Sequence, residues 1–194
     1  MRVLEVLADA TNVIAEGEVL QLMNCRDAGI DEQDYLRVIR YKTAKLFEAS
    51  TRLGAILAGA PVETEEALAS YGVHLGTAFQ LIDDVLDYSG DHEVIGKNVG
   101  DDLAEGKATL PLIHVMKHGS REQAEVVRNA IEHGGLADLD AVLAAIRSSG
   151  ALDYARGQAK RESEAAVVAL RSLAHSAQRE YLLQLADFAV TRTF

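Results

Sequence analysis

The stretch FQLIDDVLDYSG places three carboxylates, Asp83, Asp84 and Asp87, inside an apolar run. Leu81, Ile82, Val85 and Leu86 surround them, so the segment reads as a helix of a buried core. Burying a carboxylate costs several kcal/mol unless it is paired or bound to a metal. On a helix, Asp83 and Asp87 are i,i+4 neighbours and Asp84 and Asp87 are i,i+3 neighbours, so all three can point one way. Oxygen-only ligands suit hard cations, above all Mg²⁺, which keeps waters and shares its shell with substrate phosphates. The run therefore reads as a Mg²⁺–diphosphate site.

The rest of the chain carries the same helical signal, and the expected fold class is all-α. Its 194 residues include two prolines and no tryptophan, with 48% apolar residues, and are read as a single domain over 1–194. Apolar spacing predicts helices over 2–24, from an Asp31 N-cap to about Ser50, over Thr51–Ala60, and from Thr64 to Ser89. Val3, Leu4, Leu7, Ile14, Val19 and Leu22 supply the apolar face of the first. Residues 89–108, SGDHEVIGKNVGDDLAEGKA, lose all periodicity and read as a long functional loop. Helices resume at Leu110–Lys117, Arg121–His133, Asp138–Ser148, Leu152–Leu173 and Gln178–Val190. No strand candidate interrupts them.

A net charge of −11 argues against a nucleic-acid partner, because phosphate contacts need clustered Lys and Arg. The single cysteine, Cys25, excludes an internal disulfide and fits a reducing cytoplasm. No apolar run is long enough for a membrane span, so a cytoplasmic protein is expected. His114 and His118 share helical i,i+4 spacing, but Val115 stands where a zinc protease has its glutamate. They read as structural.

An acidic chain that handles diphosphate must supply a few well-placed cations. Lys97 and Lys107 each follow a glycine in the loop, where the backbone can approach a ligand closely. A P-loop is rejected, since Asn98 and Ala108 occupy the Ser/Thr places. An EF-hand starting at Asp87 fails as well, with His92 in place of its glycine. In YKTAKLFEAS, Lys42 and Thr43 fall at or near the buried side of a helix, while Lys45 reads as snorkelling to solvent. For Lys42, snorkelling and a ligand role both remain open.

Together these segments resemble the trans-isoprenyl diphosphate synthase family, and specifically its long-chain members. FQLIDDVLD is similar to the family's second aspartate-rich motif, and GKNVGDDLAEGKATLP to the loop that follows it, with Asp102-Leu103 at its centre. Gly17-Glu18-x-x-Gln21 and Lys42-Thr43-Ala44 match two further motifs in order. The resemblance implies an isoprenoid-synthase helical bundle in which Asp83, Asp84 and Asp87 bind Mg²⁺ that bridges to an allylic prenyl diphosphate. It implies that Lys42, Lys97 and Lys107 neutralise that diphosphate, that Thr43 lies beside the nascent carbocation, and that Gln80 helps hold the site. Isopentenyl diphosphate is the implied second substrate, and a homodimer the implied assembly.

A first D-D-x-x-D motif with its downstream arginine pair, and a G-x-[KR]-x-R-P segment, are not found in the 194 residues. The resemblance thus covers the latter part of a complete enzyme. A truncated chain with little or no prenyl transfer of its own is the expectation. Two other readings stand beside it, a noncatalytic partner subunit and a terpene-cyclase-like ionisation enzyme.

Overall fold

The structure is a computed structural model that describes residues 1–89, 100–134 and 136–192. All regular structure among the described residues is helical. The order is α1 (Arg2–Asn24), α2 (Glu32–Ile39), a π-helical segment (Arg40–Ala44), α3 (Lys45–Leu57) and α4 (Val62–Ser89). From residue 101 onward come α5 (Asp101–Ala104), α6 (Leu110–His118), α7 (Arg121–His133), α8 (Leu139–Ser148), α9 (Ala151–Ala169) and α10 (Ala177–Thr191).

Local chemistry explains most of these boundaries. Asp31 Oδ1 accepts from the amides of Gln33 and Asp34 at 2.8 and 2.9 Å, the N-cap expected for α2. Ser120 and Gln123 form a reciprocal capping box that starts α7. The break expected at Ser50 does not occur. Ser50 and Thr51 turn their hydroxyls back onto the Leu46 and Phe47 carbonyls, so α3 runs through them to Leu57. The irregularity falls earlier, in the π-helical segment that carries Lys42 and Thr43. Insertions of this kind inside helices recur at functional sites.

The chain divides into two compact units. One comprises Met1–Val19, Arg37–Gln80 and Gln158–Arg192. Its core holds Tyr71, Leu75, Ala166, Leu170, Ala186 and Ala189, and the Tyr71 hydroxyl donates to the Leu182 carbonyl at 2.8 Å. Gly17 of α1 sits in this unit against the π-helical segment. A Cβ there would lie 2.5 Å from the Lys42 amide nitrogen, so only glycine allows this approach. Glu65, in the first turn of α4, is buried and paired with Arg2 and Arg52. Lys45 does not snorkel: its ammonium is mostly covered and bonds Asp9 and Glu48 at 2.7 and 2.8 Å.

The other unit contains Leu20–Leu36 and Leu81–Gly157. Here α6, α7 and α8 pack on one another around Leu112, Val115, Val127, Ile131, Val142 and Ile146. The loop expected over residues 89–108 is regular at Asp101–Ala104, where α5 buries Leu103 completely.

Candidate functional site

Of the proposed metal ligands, Asp83, Asp84 and Asp87 all lie on α4 in the second unit. Asp83 and Asp87 are half-buried, whereas Asp84 is only 3% exposed. The buried carboxylate is answered by a residue that sequence reasoning missed. The hydroxyl of Tyr35, itself buried on α2, donates to Asp84 Oδ2 at 2.6 Å. Burial, and then the negative charge of Asp84, hold the Tyr35 pKa well above its ordinary value, so the hydroxyl stays protonated and donating. Asp87 Oδ2 accepts from the Asp102 amide at 3.3 Å, and its carbonyl accepts from the Gly100 amide at 3.1 Å. These bonds tether the start of α5 to α4.

Lys107 belongs to the same unit. Its ammonium bonds Asp102 Oδ1 at 2.7 Å and Glu105 Oε2 at 2.8 Å. Burial alone would lower its pKa, but the two carboxylates outweigh that and hold it above the usual lysine range. Gly106 positions it: φ is +76°, which glycine adopts readily, and its carbonyl accepts from the Arg26 amide at 2.7 Å. Lys97 lies outside the described residues.

Lys42, Thr43 and Gln80 fall in the first unit. Thr43 Oγ1 donates to Gln80 Oε1 at 3.1 Å, so two of the expected site residues meet directly. The Lys42 ammonium pairs with Glu18 of α1 at 2.8 Å, both side chains being partly exposed. Glu18 thus bonds α1 to the π-helical segment. Gln80 and the three aspartates occupy one uninterrupted helix at spacings of three, four and seven residues.

Among the described residues, no three His, Cys, Asp or Glu side chains form a ready-made metal cage. The donor set nonetheless fits Mg²⁺. This ion is commonly held by one or two carboxylates, with waters and substrate phosphates completing an octahedral shell. Asp83 and Asp87, both partly exposed and one turn apart, with the tethered Asp84 beside them, offer oxygen donors of that kind.

The all-helical fold is that of the isoprenoid synthases, as the solved polyprenyl synthases that it matches show. The profile of the polyprenyl synthetase family matches residues 1–147, and the chain belongs to that family. It is 54% identical over 193 residues to octaprenyl diphosphate synthase of Escherichia coli, covering 99% of this chain and 60% of that protein. It matches a polyprenyl synthase of Caulobacter crescentus, solved with calcium and isoprenyl diphosphate, at 46% identity and a TM-score of 0.94. That match covers 100% of this chain and 60% of the other. A geranylgeranyl pyrophosphate synthase of Corynebacterium glutamicum, complexed with isoprenyl diphosphate and magnesium, matches at 27% identity and a TM-score of 0.90. It is covered to 55%, against 98% of this chain. The chain thus spans about 60% of the length of the relatives at the head of this group.

Proposed function

We propose that this chain acts in long-chain prenyl transfer of the octaprenyl type, the Mg²⁺-dependent condensation of an allylic diphosphate with isopentenyl diphosphate. The observation that carries the reading is α4 itself, on which Gln80, Asp83, Asp84 and Asp87 follow one another, with Asp84 bound by Tyr35 and Gln80 by Thr43. The match to an octaprenyl synthase over nearly the whole chain supports it.

In this reading Asp83, Asp84 and Asp87 hold Mg²⁺, which when bound supplies positive charge to a departing diphosphate. Lys42, Lys97 and Lys107 add point charges to the same leaving group, and their effect grows as the allylic C–O bond breaks and negative charge develops. Lys42 and Lys107 then exchange a carboxylate partner, Glu18 or Asp102, for phosphate oxygens. Gln80 accepts the hydrogen bond of the Thr43 hydroxyl and so holds Thr43 in place beside the developing cation. Apolar walls around the site would keep water from that cation.

The 194 residues hold one D-D-x-x-D motif. Turnover therefore draws on a second acidic motif from the length that the relatives have beyond this match, and a homodimer is the proposed assembly. The test is incorporation of radiolabelled isopentenyl diphosphate. The chain alone is expected to give little long-chain product. Supplemented with the remaining portion of an octaprenyl synthase, it should give product that depends on Mg²⁺ and is lost with Asp83→Ala. Robust long-chain product from the chain alone would overturn the need for a second motif. Incorporation unchanged by Asp83→Ala would overturn the site.

A further inference from the structure

The Tyr35–Asp84 bond joins residues far apart in sequence, in one unit, with both side chains almost wholly removed from water. A core tyrosine needs only some acceptor, and a backbone carbonyl serves for Tyr71. Tyr35 instead spends its one proton on a carboxylate within the aspartate motif. At 2.6 Å this is a short, charge-assisted O–H···O⁻ bond, stronger and more directional than a neutral one. Donation to Oδ2 restrains the rotation of the carboxylate group, and hence the direction in which its lone pairs point. Asp87 is steered from another element, by the Asp102 amide. Two of the three motif carboxylates are thus oriented by groups outside α4.

Resting on the Mg²⁺–diphosphate reading above, we infer that Tyr35 is a positioning residue for the metal site: its hydroxyl holds Asp84 in the orientation from which the motif binds a divalent cation. Outer partners of metal ligands commonly contribute about 10–100-fold in metal affinity. Tyr35 contributes on that scale without touching metal or substrate.

Tyr154 provides the control. Its hydroxyl also donates to a carboxylate in the same unit, Glu32, at 2.8 and 3.0 Å, which is not one of the motif aspartates. The experiment measures Mn²⁺ binding by electron paramagnetic resonance in the presence of inorganic pyrophosphate, alongside thermal melting, for the intact chain. Tyr35→Phe is expected to weaken Mn²⁺ binding about 10–100-fold with helicity retained. Tyr154→Phe is expected to shift melting while leaving Mn²⁺ affinity unchanged. If Tyr35→Phe lowers only the melting temperature, its role is structural and the inference is overturned. Asp83→Ala distinguishes loss of the metal site from loss of the Tyr35 contribution. Wild-type binding that Asp83→Ala abolishes and Tyr35→Phe leaves intact refutes the inference alone. Wild-type binding that is absent, or insensitive to Asp83→Ala, refutes the site reading and the inference with it.

Discussion

Two helical regions whose sequences both supply apolar side chains for a core end in opposite environments. In α6–α8, Leu112, Val127, Ile131 and Val142 are completely buried. In α1, Leu4 is 70% exposed, Leu22 65% and Met23 73%, and the only buried positions are Ala10 and Gly17. Periodicity sets helix formation and the side of the helix that is apolar. It does not supply the surface that covers that side. In α6–α8 the three helices cover one another, whereas α1 closes its own contacts through small residues and through ion pairs such as Glu18–Lys42.

The contrast breaks first in the closed region. Ile131→Ala should cost about 2–5 kcal/mol, since the side chain has no exposure and its loss leaves a cavity; urea unfolding measures it. Tyr35→Phe comes next, at about 1–3 kcal/mol, because buried Asp84 loses a hydrogen-bond donor. A smaller effect comes from His114, stacked on Tyr154. Burial, and then His118, lower its pKa, so the unfolded chain binds the proton more readily than the folded one. Stability should therefore fall as pH drops through the ordinary histidine range, and His114→Gln should flatten that part of a melting-temperature profile.

Glu162 of the first unit behaves differently in acid. Its burial would raise its pKa, but the hydrogen bond from His74 and the charges of His74 and Arg40 outweigh this and lower it. Its contribution is present at neutral pH and lost only as pH falls below the ordinary carboxylate range. The open region should respond least. Glu18→Gln removes a partly exposed ion pair worth about 0–1 kcal/mol. Leu4→Ala should stay within about 0.5 kcal/mol at low protein concentration. A loss that grows with concentration would show that an assembly covers the α1 face.

Much of this was legible from residue types. The Asp31 cap, the 2–24 helix and the placement of the aspartates in a buried helix follow from capping chemistry and apolar spacing. The π-helical segment at Arg40–Ala44 was not, because no residue pattern in RYKTA marks it; the structure places it against Gly17 of another helix. Tyr35 was missed for a similar reason. Alone in EQDYLRVI it reads as an ordinary core aromatic, and only the fold sets its hydroxyl against Asp84. Lys45 was misread because its partner Asp9 lies on a different helix. Local spacing shows which residues share a face of a helix, and long-range pairing decides what that face meets.

The central claim is that α4 carries the metal-binding side of a diphosphate site. Titration calorimetry of the intact chain with an allylic prenyl diphosphate, with and without Mg²⁺, tests it directly. The account predicts binding that requires Mg²⁺ and disappears in Asp83→Ala and Asp87→Ala, both with wild-type helicity. Binding of equal strength without Mg²⁺, or retained in both variants, would contradict it.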